Sequence, residues 1–134
     1  MDRPARDRVR SGSPFEPTIG FSRAVRVGTR VVVSGTGPVW PDGTCLDDAG
    51  AQARRCFEII GAALAEVGGG LDDVIRTRMF LVDRADADAV GRAHAAAVGP
   101  TAPAASMVIV AGLLDPRWKV EIEAEAELGG SPGG

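Results

Sequence analysis

Near the end of the chain, residues 120–127 read VEIEAEAE, an uninterrupted alternation of apolar and acidic side chains. Successive side chains of a β-strand point to opposite faces of its sheet, so a period of two predicts a strand with one apolar and one acidic face. The apolar face has to pack against a core. The rest of the chain must therefore supply the sheet around this strand and a layer that covers it.

The acidic face of this strand carries four carboxylates, which repel one another unless arginines, solvent or another subunit meets them. They belong to Glu121, Glu123, Glu125 and Glu127. We expect this face to take part in chemistry or in assembly. The alternative is a solvated edge-strand face whose charges hinder aggregation.

The other periodic segments predict four more strands and two helices. Strands are predicted over 24–27 and 30–34, joined by a turn at Gly28-Thr29, and over 73–83 and 106–110. In the third of these, alternation places Val74, Arg76, Arg78 and Phe80 on one face. Helices are predicted over 48–67, capped by Asp47 or Asp48, and over 85–98, capped by Asp83 or Asp86.

This order of elements predicts an α+β fold, in which one mixed sheet of five to six strands has two helices on one face. The other sheet face would carry Val, Ile and Phe side chains and needs a cover, for which self-association is the economical solution. We expect a flexible arm over residues 1–17, a single domain over residues 18–128 and a disordered tail over residues 129–134.

Composition narrows the classes of function. The 134 residues have a net charge of -3 and a pI of about 5.1, which argues against a nucleic-acid partner, because such affinity rests on a positive surface. No apolar run is long enough to span a membrane, and no signal segment is evident, so we predict a cytoplasmic protein. Cys45 and Cys56 form neither a metal-ligand spacing nor a disulfide framework, and we predict no metal and no cofactor.

Five segments, in this order and spacing, resemble the RidA family, also known as the YjgF/YER057c/UK114 family. They are FSRAVRVG with VVVSG, then AQARRCFEIIGAALAEVG, LDDVIRTRMFLVD, PAASMVIV and KVEIEAEA, and together they extend over about 20–127. The resemblance implies a chorismate-mutase-like fold, a homotrimer with clefts between subunits, and hydrolysis of enamines and imines such as 2-aminoacrylate.

Several site residues follow from the resemblance alone. Glu121 matches the glutamate that positions or activates the hydrolytic water, while Gly35 and Ser106 match positions that line the cleft. Ala105 stands where the deaminases have an arginine that binds the substrate carboxylate. Three further departures make the cleft larger and more apolar: Phe21 replaces a tyrosine, Gly91 an asparagine and Met107 a cysteine.

Other residues are weighed on their own chemistry. Arg78 is a candidate replacement for the missing arginine, although cross-strand pairing with Glu123 or Glu125 is the favoured interpretation. The resemblance, rather than its own chemistry, implies that Phe80 lines the cleft. His94 has no partner for a catalytic triad and is expected at the surface or in a cap. Arg23 and Arg117 are expected to be solvated, and Trp40 and Trp118 to cover the ends of the sheet.

These features favour a divergent enzyme with hydrolase-, deaminase- or lyase-like chemistry on an imine, enamine or related carbonyl compound. Its partners would be further copies of itself and a small molecule, and a specialised biosynthetic pathway is one setting for it. Glu121 would move the proton or the water. Without the arginine, we expect poor turnover of 2-aminoacrylate. The alternative is a non-catalytic ligand-binding or regulatory trimer.

Overall fold

The computed structural model describes residues 5–129 and contains six strands and two main helices. The order along the chain is β1 Arg6–Val9, β2 Ala24–Val27, β3 Arg30–Thr36, α1 Ala49–Glu66, β4 Val74–Leu81, α2 Ala87–Val98, β5 Ala104–Ile109 and β6 Val120–Glu127. Asp48 begins α1 as predicted, because its carboxylate accepts a hydrogen bond of 2.9 Å from the amide of Ala51.

The strands form one mixed sheet in the order β1-β2-β3-β6-β4-β5. Only β4 and β5 run parallel to each other, while the other neighbours are antiparallel. The strand with the apolar-acidic alternation, β6, therefore lies inside the sheet between β3 and β4. The predicted α+β architecture with a mixed sheet and two main helices is confirmed.

Both helices cover the apolar face of the sheet. The alternating apolar residues of β6 are fully buried there, together with residues at helical spacing in α1, including Phe57, Ile60 and Leu64. The four acidic residues of β6 consequently point to the other, uncovered face, which we call the open face. Within residues 5–129, no helix combines the length and the hydropathy that a membrane span requires.

The amino-terminal segment differs from the prediction. Residues 6–9 lie within the expected flexible arm, but they form β1 and extend the sheet by one strand, in a register that pairs Val9 with Ala24. Val9 is 3% exposed and belongs to the core. The prediction of a flexible arm is therefore wrong for these residues, while residues 1–4 and 130–134 lie outside the described part of the chain.

A register shift in β4 changes which side chains share a face. Between Val74 and Arg76 the pairing with β6 is irregular, so that Val74 is buried beside the core and Ile75 is 44% exposed. A bulge of this kind adds one residue to a strand, so residues before the bulge point to the opposite sheet face from the one that simple alternation predicts. The predicted grouping of Val74 with Arg76 and Arg78 is wrong, but the two arginines do share the open face.

Candidate functional site

Three of the four carboxylates on the open face have a partner in a neighbouring strand or turn. Arg78 donates a hydrogen bond of 2.8 Å to Glu123, so the favoured interpretation of Arg78 as a cross-strand partner is confirmed. Glu125 lies 3.5 Å from Arg30 on one side and 3.4 Å from Arg76 on the other. The third is Glu127, which accepts a hydrogen bond from the hydroxyl of Thr29 in the turn between β2 and β3.

Glu121 is the exception in this row. It forms no ion pair and no hydrogen bond with another side chain in the part of the chain that the structure describes. Burial raises the pKa of the Glu121 carboxyl, an effect that Arg23 opposes and Glu123 reinforces. A half-buried carboxyl with a raised pKa and a free set of oxygens is suited to proton transfer.

The backbone beside Glu121 is irregular. The register of β3 against β6 shifts between Val33 and Thr36, so that Ser34 and Gly35 bulge out of the ladder. A β-carbon built on Gly35 would lie 2.1 Å from Oε2 of Glu121. A side chain at position 35 would displace the carboxyl, so the present position of Glu121 depends on glycine here.

A buried ion pair holds this bulge. Arg23 is 5% exposed and Glu16 is 2% exposed, and their charged groups approach to 3.7 Å. Arg23 also donates to the carbonyl oxygen of Gly35 at 2.6 Å and to the hydroxyl of Thr36 at 3.0 Å. The expectation that Arg23 is solvated is wrong, because the turn at residues 16–20 folds over it and supplies its counterion.

Phe21 lies next to this network. Its ring is half-buried and its centroid is 5.3 Å from the guanidinium carbon of Arg23. The ring also forms one wall of a cavity of about 490 Å³. The lining residues are Arg8, Arg10, Glu16, Pro17, Gly20, Phe21, Ser22, Val25 and Ser34. Phe80, in register with Glu121, is half-buried on the open face.

The remaining predicted site residues lie elsewhere in the chain. In the parallel pairing of β4 with β5, Ala105 is opposite Thr77 and Met107 is opposite Met79, so both face the helices. Met107 packs against the core. Ser106, opposite Arg78, points to the open face instead, and Gly91 lies in α2 with free space where a β-carbon would be.

Within a single chain, the predicted site residues therefore fall into two separate groups. Phe21, Gly35 and Glu121 lie together around β3 and β6, whereas Ala105 and Met107 lie on β5, at the far edge of the sheet and on its other face. Two strands separate β3 from β5, which amounts to about 14 Å at the usual strand spacing. The structure does not bring the two groups together within a single chain.

His94 was misjudged from the sequence. It is half-buried, its Nε2 lies 2.7 Å from the hydroxyl of Thr77, and its ring meets Phe57 edge-on at 5.7 Å. Burial lowers the pKa of this imidazole. The expected surface or capping role is wrong. The apolar helix face around His94, with Val90 and Ala93 beside it, was the available signal that it turns inward.

Other polar and aromatic candidates have structural partners. Trp118 is buried against Gly37 and meets Phe15 edge-on, as expected of a cover over the sheet end. Arg117 is exposed and pairs with Asp115 at 2.7 Å. Across residues 5–129, no three His, Cys, Asp or Glu side chains lie close enough together to hold a metal ion.

Comparison with known proteins gives a consistent result. A family model described as Endoribonuclease L-PSP matches residues 12–128. An uncharacterised protein of Streptomyces coelicolor is 42% identical over 123 residues, covering 91% of this chain and 92% of the relative. A 2-iminobutanoate/2-iminopropanoate deaminase of Salmonella typhimurium is 35% identical over 111 residues, covering 79% of this chain and 85% of that protein.

The fold is likewise similar to a solved structure. A member of the YjgF/YER057c/UK114 family from Mycobacterium tuberculosis superposes with a TM-score of 0.85 at 44% sequence identity. The match covers 92% of this chain and 100% of the other. The mixed sheet and the two helices are therefore common to both proteins.

Proposed function

Because the chain belongs to the RidA (YjgF/YER057c/UK114) family, whose model is described as Endoribonuclease L-PSP, we propose that it hydrolyses the C=N bond of a small molecule. The substrate class is an imine, or the imine tautomer of an enamine. The products are the corresponding carbonyl compound and ammonia. One relative carries the name of an imine deaminase, and this chain shares 35% of its residues over the matched region.

The observation that carries the proposal is the environment of Glu121. Three carboxylates of the same strand are used in pairing, while Glu121 is free, half-buried and raised in pKa by its burial. As a carboxylate it accepts a proton from water as the oxygen attacks the imine carbon. As a carboxylic acid it then returns that proton to nitrogen, which gives a carbinolamine. The carboxylate next takes the hydroxyl proton of the carbinolamine and passes it to nitrogen, so that the C–N bond breaks, ammonia leaves and the C=O bond forms.

We place this reaction in a cleft between subunits of a homotrimer. The open face carries Val32, which is 47% exposed, and the half-buried ring of Phe80, and a second subunit would cover both. An assembly would also bring Gly91, Ala105 and Met107 of one subunit toward Phe21, Gly35 and Glu121 of another. Ser106 and Phe80 would contribute from the open face. In such a trimer, the two groups of residues that are separate within one chain could form a single site.

The substrate is expected to differ from the small 2-imino acids. Position 105 is alanine, whose side chain cannot donate hydrogen bonds to a carboxylate. Gly91 leaves space where a side chain would otherwise stand. A larger substrate, less dependent on a carboxylate anchor at position 105, suits such a cleft. A specialised biosynthetic pathway is our proposed setting.

Non-catalytic ligand binding is the second candidate. The alanine at position 105 is the observation that favours it, because the loss of an anchoring group removes turnover more readily than it removes a cavity. The two candidates separate on Glu121→Gln, which keeps the size and polarity of the side chain but cannot transfer the proton. An enzyme loses turnover in this variant, whereas a binding protein has no turnover to lose.

The direct test is release of ammonia and of the carbonyl product from 2-aminoacrylate and from a series of bulkier imines. The parent chain is compared with Ala105→Arg and Glu121→Gln variants. We expect the parent to favour a bulky imine, Ala105→Arg to gain activity on 2-aminoacrylate, and Glu121→Gln to be inactive. Absence of turnover of every imine by both the parent and Ala105→Arg overturns the catalytic proposal and leaves ligand binding.

A further inference from the structure

Arg23 and Glu121 meet the same residue of the β3 bulge. Arg23 donates a hydrogen bond of 2.6 Å to the carbonyl oxygen of Gly35, and the carboxyl of Glu121 lies where a side chain of Gly35 would begin. A second bond from Arg23, of 3.0 Å to the hydroxyl of Thr36, holds the next residue. The position of Gly35, and with it the space open to the carboxyl, therefore depends on the guanidinium group.

Glu16 does not consume the charge of Arg23. Nε of Arg23 lies 3.7 Å from Oε2 of Glu16, which is longer than a hydrogen bond, and this Nε has no acceptor within residues 5–129. The carboxylate of Glu16 accepts hydrogen bonds from the amide of Ser11, at 3.2 and 3.3 Å, and from its hydroxyl. Burial lowers the pKa of Arg23, and attraction to Glu16 and to Glu121 opposes that effect. Both carboxylates thus interact with one buried cation.

The other charged groups near Glu121 do not replace this cation. Burial raises the pKa of the Glu121 carboxyl, Arg23 lowers it, and the like charge of Glu123 raises it further. Arg78 of β4 is paired with Glu123 at 2.8 Å, and Lys119 approaches a carboxylate of the loop before α1 at 3.9 Å. Among residues 5–129, Arg23 is therefore the cation that favours the carboxylate form of Glu121.

Cys56 is the titratable group that α1 places near this carboxyl. It is fully buried, its Sγ lies 3.1 Å from the carbonyl oxygen of Thr36, and burial raises the pKa of the thiol. A neutral thiol adds no charge at neutral pH. The ionisation of Glu121 consequently depends on its burial, on Glu123 and on Arg23.

We propose that Arg23 is a positioning residue of the reaction site, which fixes the backbone against which the Glu121 carboxyl lies and supplies the cation that balances its charge. The inference rests on the proposed function for the use of Glu121 as base and acid, but it concerns the placement and the charge of that group. The reaction begins with a carboxylate that accepts a proton from water, so a buried cation keeps the starting form populated. Because Arg23 is 5% exposed, it acts through Glu121 and not by contact with the substrate.

The first measurement needs no substrate. Carbon-13 NMR of protein labelled at the glutamate carboxyl carbons follows the titration of Glu121, whose resonance is the one missing from Glu121→Gln. In Arg23→Met the midpoint is expected to move to higher pH, because the cation that favours the carboxylate is gone. In Arg23→Lys, which keeps the charge, the midpoint is expected to stay close to that of the parent.

The second measurement is the pH dependence of kcat and kcat/KM on 2-aminoacrylate and on the imine of phenylpyruvate, corrected for spontaneous hydrolysis. The acid limb of kcat/KM reports the base of the free enzyme, so it should move to higher pH in Arg23→Met. Above that limb, kcat should stay about 10- to 100-fold below that of the parent with KM unchanged, because Gly35 is no longer held. Arg23→Lys should restore the limb but only part of kcat, since an ammonium group does not reproduce the planar guanidinium.

Arg26→Met is the matched control. Arg26 also lies on β2 and also donates to backbone carbonyl oxygens, those of Gly28 at 2.7 Å and of Val67, but at the end of the strand away from the bulge. This variant is expected to leave the titration of Glu121 and the acid limb unchanged, even where it lowers the unfolding temperature. A shift as large as that of Arg23→Met would mean that the effect reports lost stability.

The variant Glu16→Gln/Arg23→Met keeps the test decisive if Arg23→Met does not fold, because it leaves neither partner of the buried pair charged. The same rise in the Glu121 midpoint and the same loss of kcat are expected. Circular dichroism and the size of the assembly establish that each variant is folded.

Three results overturn the inference. One is a Glu121 midpoint that Arg23→Met and the double variant leave unchanged, and another is a shift of equal size in Arg26→Met. The third is a raised KM with an unchanged kcat, which would place Arg23 in contact with the substrate. Failure of the proposed function gives a different pattern, in which the Glu121 midpoint moves as expected while the parent hydrolyses no imine.

Discussion

The carboxyl group of Glu121 rests directly on the backbone of Gly35, in the space where any other residue would carry its β-carbon. Gly35→Ala would put that carbon 2.1 Å from the present position of Oε2, and the flexible end of the glutamate would have to move away. We expect the variant to fold and to lose about a hundredfold in kcat, because a small displacement of a reacting group has an effect of that order.

The matched control is Gly112→Ala, which adds a methyl group where no atom lies within 4 Å. It is expected to keep the parent's rate on the imine that the chain prefers. Steady-state kinetics of both variants tests the prediction. Equal kcat values for Gly35→Ala and the parent would mean that catalysis does not depend on the position of the Glu121 carboxyl against Gly35.

Glu121→Gln is expected to lower kcat by about 10² to 10⁴, the usual contribution of a positioned acid or base, and to keep ligand affinity. The same substitution should also change how the free energy of unfolding depends on pH. Burial raises the pKa of this carboxyl above its ordinary value of 4.5, so at intermediate pH the folded chain holds a proton that the unfolded chain has lost. The free energy of unfolding therefore falls as the pH rises through that interval.

Thermal unfolding against pH measures this second effect. At neutral pH the Glu121→Gln variant should unfold at a higher temperature than the parent, since it has no buried charge to form. Below about pH 4 the two proteins should converge, because both the folded and the unfolded parent are then protonated. A variant less stable than the parent at neutral pH would contradict the buried, unpaired state of this group.

The Glu16–Arg23 pair is expected to stabilise the bulge at Ser34 and Gly35, against which the carboxyl of Glu121 lies. Arg23→Met leaves Glu16 buried without its cation and should lower the free energy of unfolding by about 3 kcal/mol. The double variant Glu16→Gln/Arg23→Met should recover part of that loss, because no charge is then left unpaired. Denaturant unfolding of the two single variants and the double variant gives the coupling energy.

No recovery in the double variant would indicate that Arg23 stabilises the chain through its bonds to Gly35 and Thr36 rather than through Glu16. Arg117→Met is a suitable comparison, because that arginine is exposed and its pair with Asp115 is on the surface. Its loss is expected to change the free energy of unfolding much less than the loss of Arg23 does, because solvent screens an exposed pair.

His94 gives the chain a pH dependence of the opposite sign. Burial lowers the pKa of the imidazole below its ordinary value of 6.5, so in acid the unfolded chain takes up a proton that the folded chain does not. The free energy of unfolding should fall as the pH drops below about 6.5. In His94→Gln, whose amide can still bond to Thr77, this part of the decline should be absent.

Unfolding temperatures of the parent and His94→Gln at about pH 7.5 and pH 5.5 check this prediction. Parallel curves for the two proteins would show that His94 does not titrate with folding. The experiment is separable from that on Glu121, because the two groups shift the stability in opposite directions over the acid range.

Much of the architecture was predictable because hydrophobic periodicity carries it. The alternation in β6 gave both the strand and the side of the sheet on which Glu121 lies, and helical spacing gave α1. β1 was missed because Arg6, Asp7 and Arg8 are charged and only Val9 reaches the core. An edge strand with one buried side chain has no apolar period to detect.

The candidate site was less predictable because it depends on contacts between distant segments. Charged residues usually lie at the protein surface, and the sequence around Arg23 and Glu16 gives no sign that the two side chains are buried together. The face of Ala105 follows from the parallel register of β5 with β4, which a sequence does not specify. Likewise, the exposure of Ile75 follows from a bulge whose position only the pairing determines.

The position of β6 has a consequence for how the chain matures. Synthesis proceeds from the amino terminus, and β6 is made after both strands between which it lies, β3 and β4. Until it emerges from the ribosome, the chain holds two separate sheet fragments, each with an unfilled edge, and such edges are prone to aggregation. The last of the described strands therefore joins the two halves, and Glu121 comes to lie against Gly35 only once β6 has paired.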